Sequence, residues 1–242
     1  MSPRVVAVVP AFREEGAIAG VVRGIRAFDA TIDIVVVDDG SPDGTAAAAA
    51  AAGAAVVRLP FNLGIGGAVQ TGLRYAHERG YDIVVRLDGD GQHDPAELPK
   101  LLDALAAGGA NVVVGSRFAG GERSYRPPLA RRIGIVWFAH LVSLVTRSRV
   151  TDTTSGFQAL DRRAITLLAH DYPTDYPEVE ATLLLLRSGL RLQEVHVRMR
   201  EREHGSSSIT VLRSVYYVLK VTLAILVAMG RRAVPAGEGV RP

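Results

Sequence analysis

Residues 83–95 read IVVRLDGDGQHDP. A short, largely β-branched run (83–87) stops at a polar, glycine-punctuated turn, and Asp94 before Pro95 then gives the start signal of a helix. That strand, turn and helix order repeats along the first half of the chain. Similar apolar runs occupy 5–9, 34–37, 55–59 and 111–115, the kind of run that suits strands buried on both faces. The segments 14–28, 43–52, 66–79 and 95–107 have helical length and spacing. Regular β-α alternation predicts a single α/β domain, its central sheet mostly parallel and flanked by helices on both faces. The alanine run 46–52 fits this scheme as a plain helix behind Ser41, Pro42 and Asp43.

In sheets of this kind ligands collect at the carboxyl ends of the strands. Residues 10–15, 38–43, 61–67, 88–94 and 116–118 are therefore the places to look for chemistry.

Composition limits what that chemistry can be. The 242 residues suffice for one domain with a full core, and 48% hydrophobic with 22% charged residues describes a folded chain. A net charge of +3, from 28 basic against 25 acidic residues, gives no reason to expect nucleic acid. Basic residues cluster locally instead: Arg123, Arg126, Arg131, Arg132, Arg147 and Arg149 share a stretch whose one acid is Glu122, suited to phosphates or an anionic membrane surface. With no cysteine, disulfides, thiolate metal sites and a cysteine nucleophile are excluded. The N-terminus reads directly as a first strand with no leader peptide, so a cytoplasmic domain is expected.

Beyond Arg123 the alternation stops. Residues 129–145 form an apolar-rich segment holding Trp137 and Phe138, and 209–229 form a second one interrupted by Arg213 and Lys220. The longest uncharged piece of the latter, 221–230, falls short of the ~20 residues that span a bilayer. One catalytic domain over 1–208, an amphipathic helix over 209–230 on a membrane surface or in a dimer contact, and a loose tail over 231–242 are expected.

Four groups of residues carry chemistry. Asp88 and Asp90, one residue apart on a turn with Gly89 between them, can both reach a hard cation; oxygen ligands suit Mg²⁺ or Mn²⁺. Asp38 and Asp39 follow the strand 34–37 directly, and two adjacent carboxylates repel unless they turn to different partners such as a base edge, a ribose hydroxyl or backbone amides. Gly64, Gly66 and Gly67 open a helix and serve close packing beside a nucleotide, or an anion. Glu178 and Glu180 open the apolar segment 177–186, where one can act as a base for an acceptor proton, or both can simply favour a helix N-terminus.

In this order the motifs VVPAFREE (8–15), VVDDGSPDGT (36–45), FNLGIGGAVQTGL (61–73), LDGDGQHDP (87–95), GSRF (115–118), DTTSGFQAL (152–160) and REREHGSSSI (200–209) resemble the family 2 glycosyltransferases with the Rossmann-like GT-A fold. Among these the chain is most similar to the polyprenyl-phosphate sugar transferases of the dolichol-phosphate mannosyltransferase type and to related bacterial polysaccharide enzymes. The resemblance implies a nucleoside pocket of Pro10, Phe12, Glu14, Asp38, Asp39 and Gly67, with Asp88, Gly89 and Asp90 at the nucleotide sugar. It also implies Asp88, Asp90 and Gln92 on Mg²⁺ or Mn²⁺. Arg117, Arg202 and Ser207 would meet phosphates, and Arg131 or Arg132 the acceptor phosphate. Catalytic duties would fall to Asp90, Asp152, Glu178 and Glu180.

The resemblance further implies a GDP- or UDP-linked sugar donor and transfer with inversion. A lipid phosphate or a saccharide would be the acceptor, reached by a peripheral domain at the inner face of the plasma membrane, alone, as a homodimer or with a membrane protein partner. Gly134, Ile135 and Ser208 stand where lipid-phosphate enzymes often carry serine and lysine, which keeps a sugar hydroxyl open as the alternative acceptor. A nucleotidyltransferase or a non-catalytic nucleotide-sugar binder are the other readings; the first strand lacks the glycine-rich basic signature of the former.

Overall fold

Five β-branched runs form the parallel part of a seven-stranded sheet: β1 (Val5–Ala11), β2 (Asp33–Asp38), β3 (Ala55–Arg58), β4 (Ile83–Arg86) and β5 (Val112–Ser116). The computed structural model describes residues 2–119, 129–173, 177–200 and 222. Strand order is β3-β2-β1-β4-β6-β5-β7, parallel throughout except β6 (Gln158–Asp161), which runs antiparallel between β4 and β5. The edge strand β7 (Leu192–His196) pairs parallel with β5. A mostly parallel α/β domain is thus what the alternation predicted. The inserted β6 was not, because its four residues, QALD, show neither a continuous apolar run nor strict alternation.

The expected helices form as α1 (Ile18–Phe28), α2 (Thr45–Ala51), α3 (Gly64–Glu78) and α4 (Leu98–Ala106), the last entered through a short 3₁₀ turn capped by Asp94, whose side chain accepts the Ala96 N–H. They are followed by α5 (Leu129–Thr146), α6 (Arg162–His170) and α7 (Pro177–Arg187). Alternating strand residues feed two cores. Ala7, Val9, Val36, Val85 and Leu87 pack under α1 and α4 through Ile18, Val22, Leu98 and Leu101. On the other face Val6, Val8, Val35 and Val84 pack under α3 and α6 through Val69, Leu73, Ile165 and Leu168.

Helix α3 lies very close to β1: a Cβ on Gly72 would stand 2.2 Å from Val8 Cγ1. The packing duty foreseen for the glycines of this helix therefore falls on Gly72, deeper in the helix. Phe138 and Val142 of α5 meet Val179 and Leu183 of α7 in a third cluster. Among the described residues no helix is long and apolar enough to cross a membrane.

From β3 at one edge the chain returns to lay β4 beside β1 on the opposite side from β2. That reversal opens a crevice past the carboxyl ends of β1 and β4, the general place for ligands in open α/β sheets.

Of the expected C-terminal helix 209–230 only Thr222 is described, and its hydroxyl accepts a hydrogen bond from Trp137 Nε1 of α5 (3.1 Å). The tail 231–242, Arg123, Arg126, Arg202, Ser207 and Ser208 lie outside the described residues, as do the side chains of Arg131 and Arg132 on α5.

Candidate active site

A cavity of about 360 Å³ occupies the β1/β4 crevice, lined by Pro10, Phe12 and Glu14 after β1, Asp39 after β2, Asn62, Gly64 and Ile65 at the start of α3, Asp88, Gly89 and Asp90 after β4, and Arg86 and Glu178. Segments far apart in sequence converge here because each follows a strand of the same parallel sheet.

The turn after β4 is shaped by its two glycines. Gly91 adopts a positive φ of 78°, a backbone that side-chain-bearing residues rarely take. Gly89 sits against the end of β1, where a Cβ would stand 3.1 Å from both Ala11 Cβ and the Pro10 carbonyl. Asp90 Oδ1 accepts the Gln92 N–H (3.0 Å), closing the turn.

His93 is buried beneath it, stacked on Phe157 at 5.0 Å, and its Nδ1 accepts the Asp88 N–H (2.9 Å). An imidazole nitrogen that accepts is unprotonated. Burial lowers the His93 pKa, against the pull of Asp88 and Asp90, so the ring is a neutral support for Asp88. Gly156, in the loop before β6, leaves room for the same carboxylate: a Cβ there would stand 2.9 Å from Asp88 Oδ1.

Asp88 Oδ1 is buried without a hydrogen-bond partner, 3.7 Å from Arg86 Nη2. An unsatisfied carboxylate oxygen beside a second aspartate fits a hard divalent cation. No third acid or histidine joins the pair as a ligand group among the described residues, which matches Mg²⁺ or Mn²⁺ held by one or two carboxylates and completed by substrate phosphates. The side chain of Gln92 does not line the cavity.

The two adjacent aspartates after β2 part company, as residues one apart on an extended chain must. Asp39 faces the cavity and accepts the N–H groups of Leu63 (2.7 Å) and Gly64 (2.9 Å) at the start of α3. Burial raises its pKa, against the lowering effect of those amides. Asp38, expected in the nucleoside pocket, is 0% exposed and off the cavity wall. Its Oδ1 accepts the Ser41 N–H (3.1 Å), and its Oδ2, buried without a hydrogen-bond partner, lies 3.4 Å from Arg58 Nε. Gly67 also stands off the wall; its missing Cβ makes room for the Leu63 side chain. Arg13, beside the cavity residues Phe12 and Glu14, carries the strained φ of 59° and donates its N–H to Ser41 Oγ.

Two further pairs of expected site residues are placed differently from one another. Arg117 and Asp152, assigned to a phosphate and to catalysis, are buried against each other in a two-pronged pair, with Thr154 donating to the same carboxylate. The pair links the end of β5 to the loop before β6, and neither side chain lines the cavity. Glu178 and Glu180 stand two positions apart on α7, roughly 200° around the helix, so one cavity cannot receive both; Glu178 lines it and Glu180 does not.

Arg86 escaped the motif reading altogether. It sits in a run read only as an apolar strand, yet a guanidinium in a central strand must be buried and must find partners, and that is the signal that points to it.

The sequence model described as glycosyl transferase family 2 matches residues 6–167. Undecaprenyl-phosphate mannosyltransferase of Micrococcus luteus is 34% identical over 218 residues, covering 86% of this chain and 88% of the relative. UDP-N-acetylglucosamine–dolichyl-phosphate N-acetylglucosaminyltransferase of Methanococcus voltae is 30% identical over 217 residues, covering 82% and 86%. Among solved structures, glucosyl-3-phosphoglycerate synthase from Mycobacterium tuberculosis, in complex with Mn²⁺, UDP-glucose and phosphoglyceric acid, superposes with a TM-score of 0.71 at 25% identity, over 94% of this chain and 80% of that one. With these matches and the cavity at the β1/β4 crevice, the chain belongs to glycosyl transferase family 2 and is a glycosyltransferase.

Proposed function

We propose that this glycosyltransferase moves a hexose from a GDP- or UDP-linked donor to a polyprenyl phosphate at a membrane surface, with inversion at the anomeric carbon. The charge of the cavity carries the donor half of this reading. Glu14, Asp39, Asp88, Asp90 and Glu178 line it against the one guanidinium of Arg86 among the described residues. A nucleotide diphosphate adds more negative charge, so the cavity favours it only together with a cation. Bound at Asp88 and Asp90, Mg²⁺ or Mn²⁺ would supply the neutralisation that lets the diphosphate depart.

The acceptor half rests on the fate of the carboxylates. A sugar hydroxyl needs a base to take its proton, whereas a phosphate oxygen is already anionic. Asp152 is paired with Arg117 and Glu180 is off the cavity, so Glu178 is the one of the three that stays on the wall, and its place beside Arg86 and Asp88 suits the donor. The polyprenyl and dolichyl phosphates in the names of the relatives agree with a phosphate acceptor.

In the transfer, an acceptor phosphate oxygen forms a bond to the anomeric carbon from the face opposite the diphosphate. The bond to the leaving oxygen breaks, and its electron pair departs with the nucleotide diphosphate. Arg202, Ser207 and Arg131 or Arg132 would meet phosphates. Trp137 and Leu144, 50% and 79% exposed and seven residues apart on α5, give an apolar face for peripheral contact with the bilayer.

Nucleotide diphosphate release, measured with Mn²⁺ or Mg²⁺ against a panel of donors with and without polyprenyl phosphate, tests the reading. Release should require both metal and polyprenyl phosphate, and NMR of the product should show the inverted anomer. Release driven by a saccharide acceptor and indifferent to polyprenyl phosphate would overturn it.

A further inference from the structure

Arg86 occupies a position where strand alternation calls for an apolar side chain: Val84, on the same face of β4, belongs to the core under α3 and α6, and Arg86 itself is 2% exposed. A buried guanidinium persists only when paired and hydrogen-bonded. Its Nη2 donates to Glu178 Oε1 at 2.8 Å and lies 3.7 Å from Asp88 Oδ1, while Nη1 donates to Tyr172 Oη at 3.1 Å. Burial pulls the Arg86 pKa down, but the carboxylates of Glu178 and Asp88 outweigh it and raise the pKa, so the group stays charged. Burial also pushes the Tyr172 hydroxyl up to about 12, leaving it neutral.

A helix N-terminus would account for an acid at the start of α7. It does not account for that acid reaching across to a cation on β4. Arg86 is moreover the one described partner of the Glu178 side chain, so the carboxylate is held by one oxygen and keeps acceptor capacity on the cavity wall.

We propose that Glu178, positioned by Arg86, reads a hydroxyl of the transferred hexose. This rests on the donor reading above. Along the top of the sheet the order β2, β1, β4 places Asp39 first, Pro10 to Glu14 next, and Asp88 and Asp90 last. A nucleotide sugar with its nucleoside at the β2 end and its diphosphate at Asp88 and Asp90 carries its sugar toward Arg86 and Glu178. An ionised carboxylate only accepts, so it selects a hydroxyl that donates, and a site built around such a bond strongly rejects analogues that lack it. Glu178 is here a sugar-binding residue and Arg86 its positioning residue.

Calorimetry with Mn²⁺, using UDP against UDP-glucose and GDP against GDP-mannose, isolates the affinity that the sugar adds to the diphosphate. Glu178→Gln keeps an oxygen for Arg86 and should lose about 10- to 100-fold of that sugar increment, as expected for a hydrogen bond to a charged group, while affinity for the diphosphate alone does not fall. The loss should appear in KM more than in kcat. Against monodeoxy donors the wild type should discriminate at one ring position, and Glu178→Gln should not. Arg86→Lys, with the charge but not the fork, should fall between wild type and Arg86→Met. A full sugar increment and intact deoxy discrimination in Glu178→Gln would overturn the assignment, whatever the folding of the Arg86 variants. Failure of the wild type to bind any nucleotide diphosphate with Mn²⁺ would instead overturn the donor reading itself.

Discussion

Arg117 grips Asp152 edge to edge, Nε to Oδ2 at 3.0 Å and Nη2 to Oδ1 at 3.2 Å, joining the end of β5 to the loop that leads into β6. Both side chains are almost wholly buried. Removing one partner strands a buried charge, so Asp152→Ala should lose about 3–5 kcal/mol in denaturant unfolding. Replacing both with apolar residues of similar volume should recover much of that loss. An unchanged midpoint for the single variant would mean that the pair is no brace.

The acidic cavity makes metal and nucleotide binding interdependent. Asp90→Ala should abolish Mn²⁺-dependent binding of nucleotide diphosphate in calorimetry, and chelator should do the same to the wild type, with the far-ultraviolet circular dichroism spectrum unchanged in both. Persistent binding in either case would remove the metal assignment.

Gly156 offers a gentler probe of the same site. An added Cβ would meet Asp88 Oδ1 at 2.9 Å and Arg86 Nη2 at 3.1 Å, so the carboxylate must turn aside. Gly156→Ala should therefore weaken Mn²⁺ binding by about 10- to 100-fold, the range typical of disturbed supporting groups, while the protein still folds. Metal titration of the variant by electron paramagnetic resonance gives the comparison.

Two buried tyrosines set an alkaline limit. Burial, with the hydrogen bond to Asp33, pushes Tyr81 up from 10.0 to about 12, and burial pushes Tyr172 to about 12. Between these values the unfolded chain has released protons that the folded chain still holds. Their contribution is therefore complete below pH 10 and is lost as the pH rises from 10 toward 12. Melting temperatures should fall over that interval, and Tyr81→Phe should flatten the slope. A parallel slope in the variant would exclude Tyr81 as a source.

Much of this molecule is legible without coordinates. The first five strands of the sheet, the helices between the first four of them and the turn holding Asp88 and Asp90 follow from short apolar runs and helical spacing. The separation of Asp38 from Asp39 was equally available, since consecutive residues of a strand face opposite ways. So was that of Glu178 from Glu180, which helical geometry sends to different sides.

Other features have no local signature. The strand β6 acquires its place only because β4 and β5 both offer it an edge. Arg86 and Glu178 are 92 residues apart, and Arg117 and Asp152 are 35 apart. By itself the sequence determined the elements and the order of the motifs, because backbone preference and side-chain periodicity act over a few residues. Which acid meets which guanidinium, and so which carboxylates remain for a metal and a sugar, was decided by the tertiary structure, because pairing a buried charge is a long-range requirement met only after the sheet has assembled.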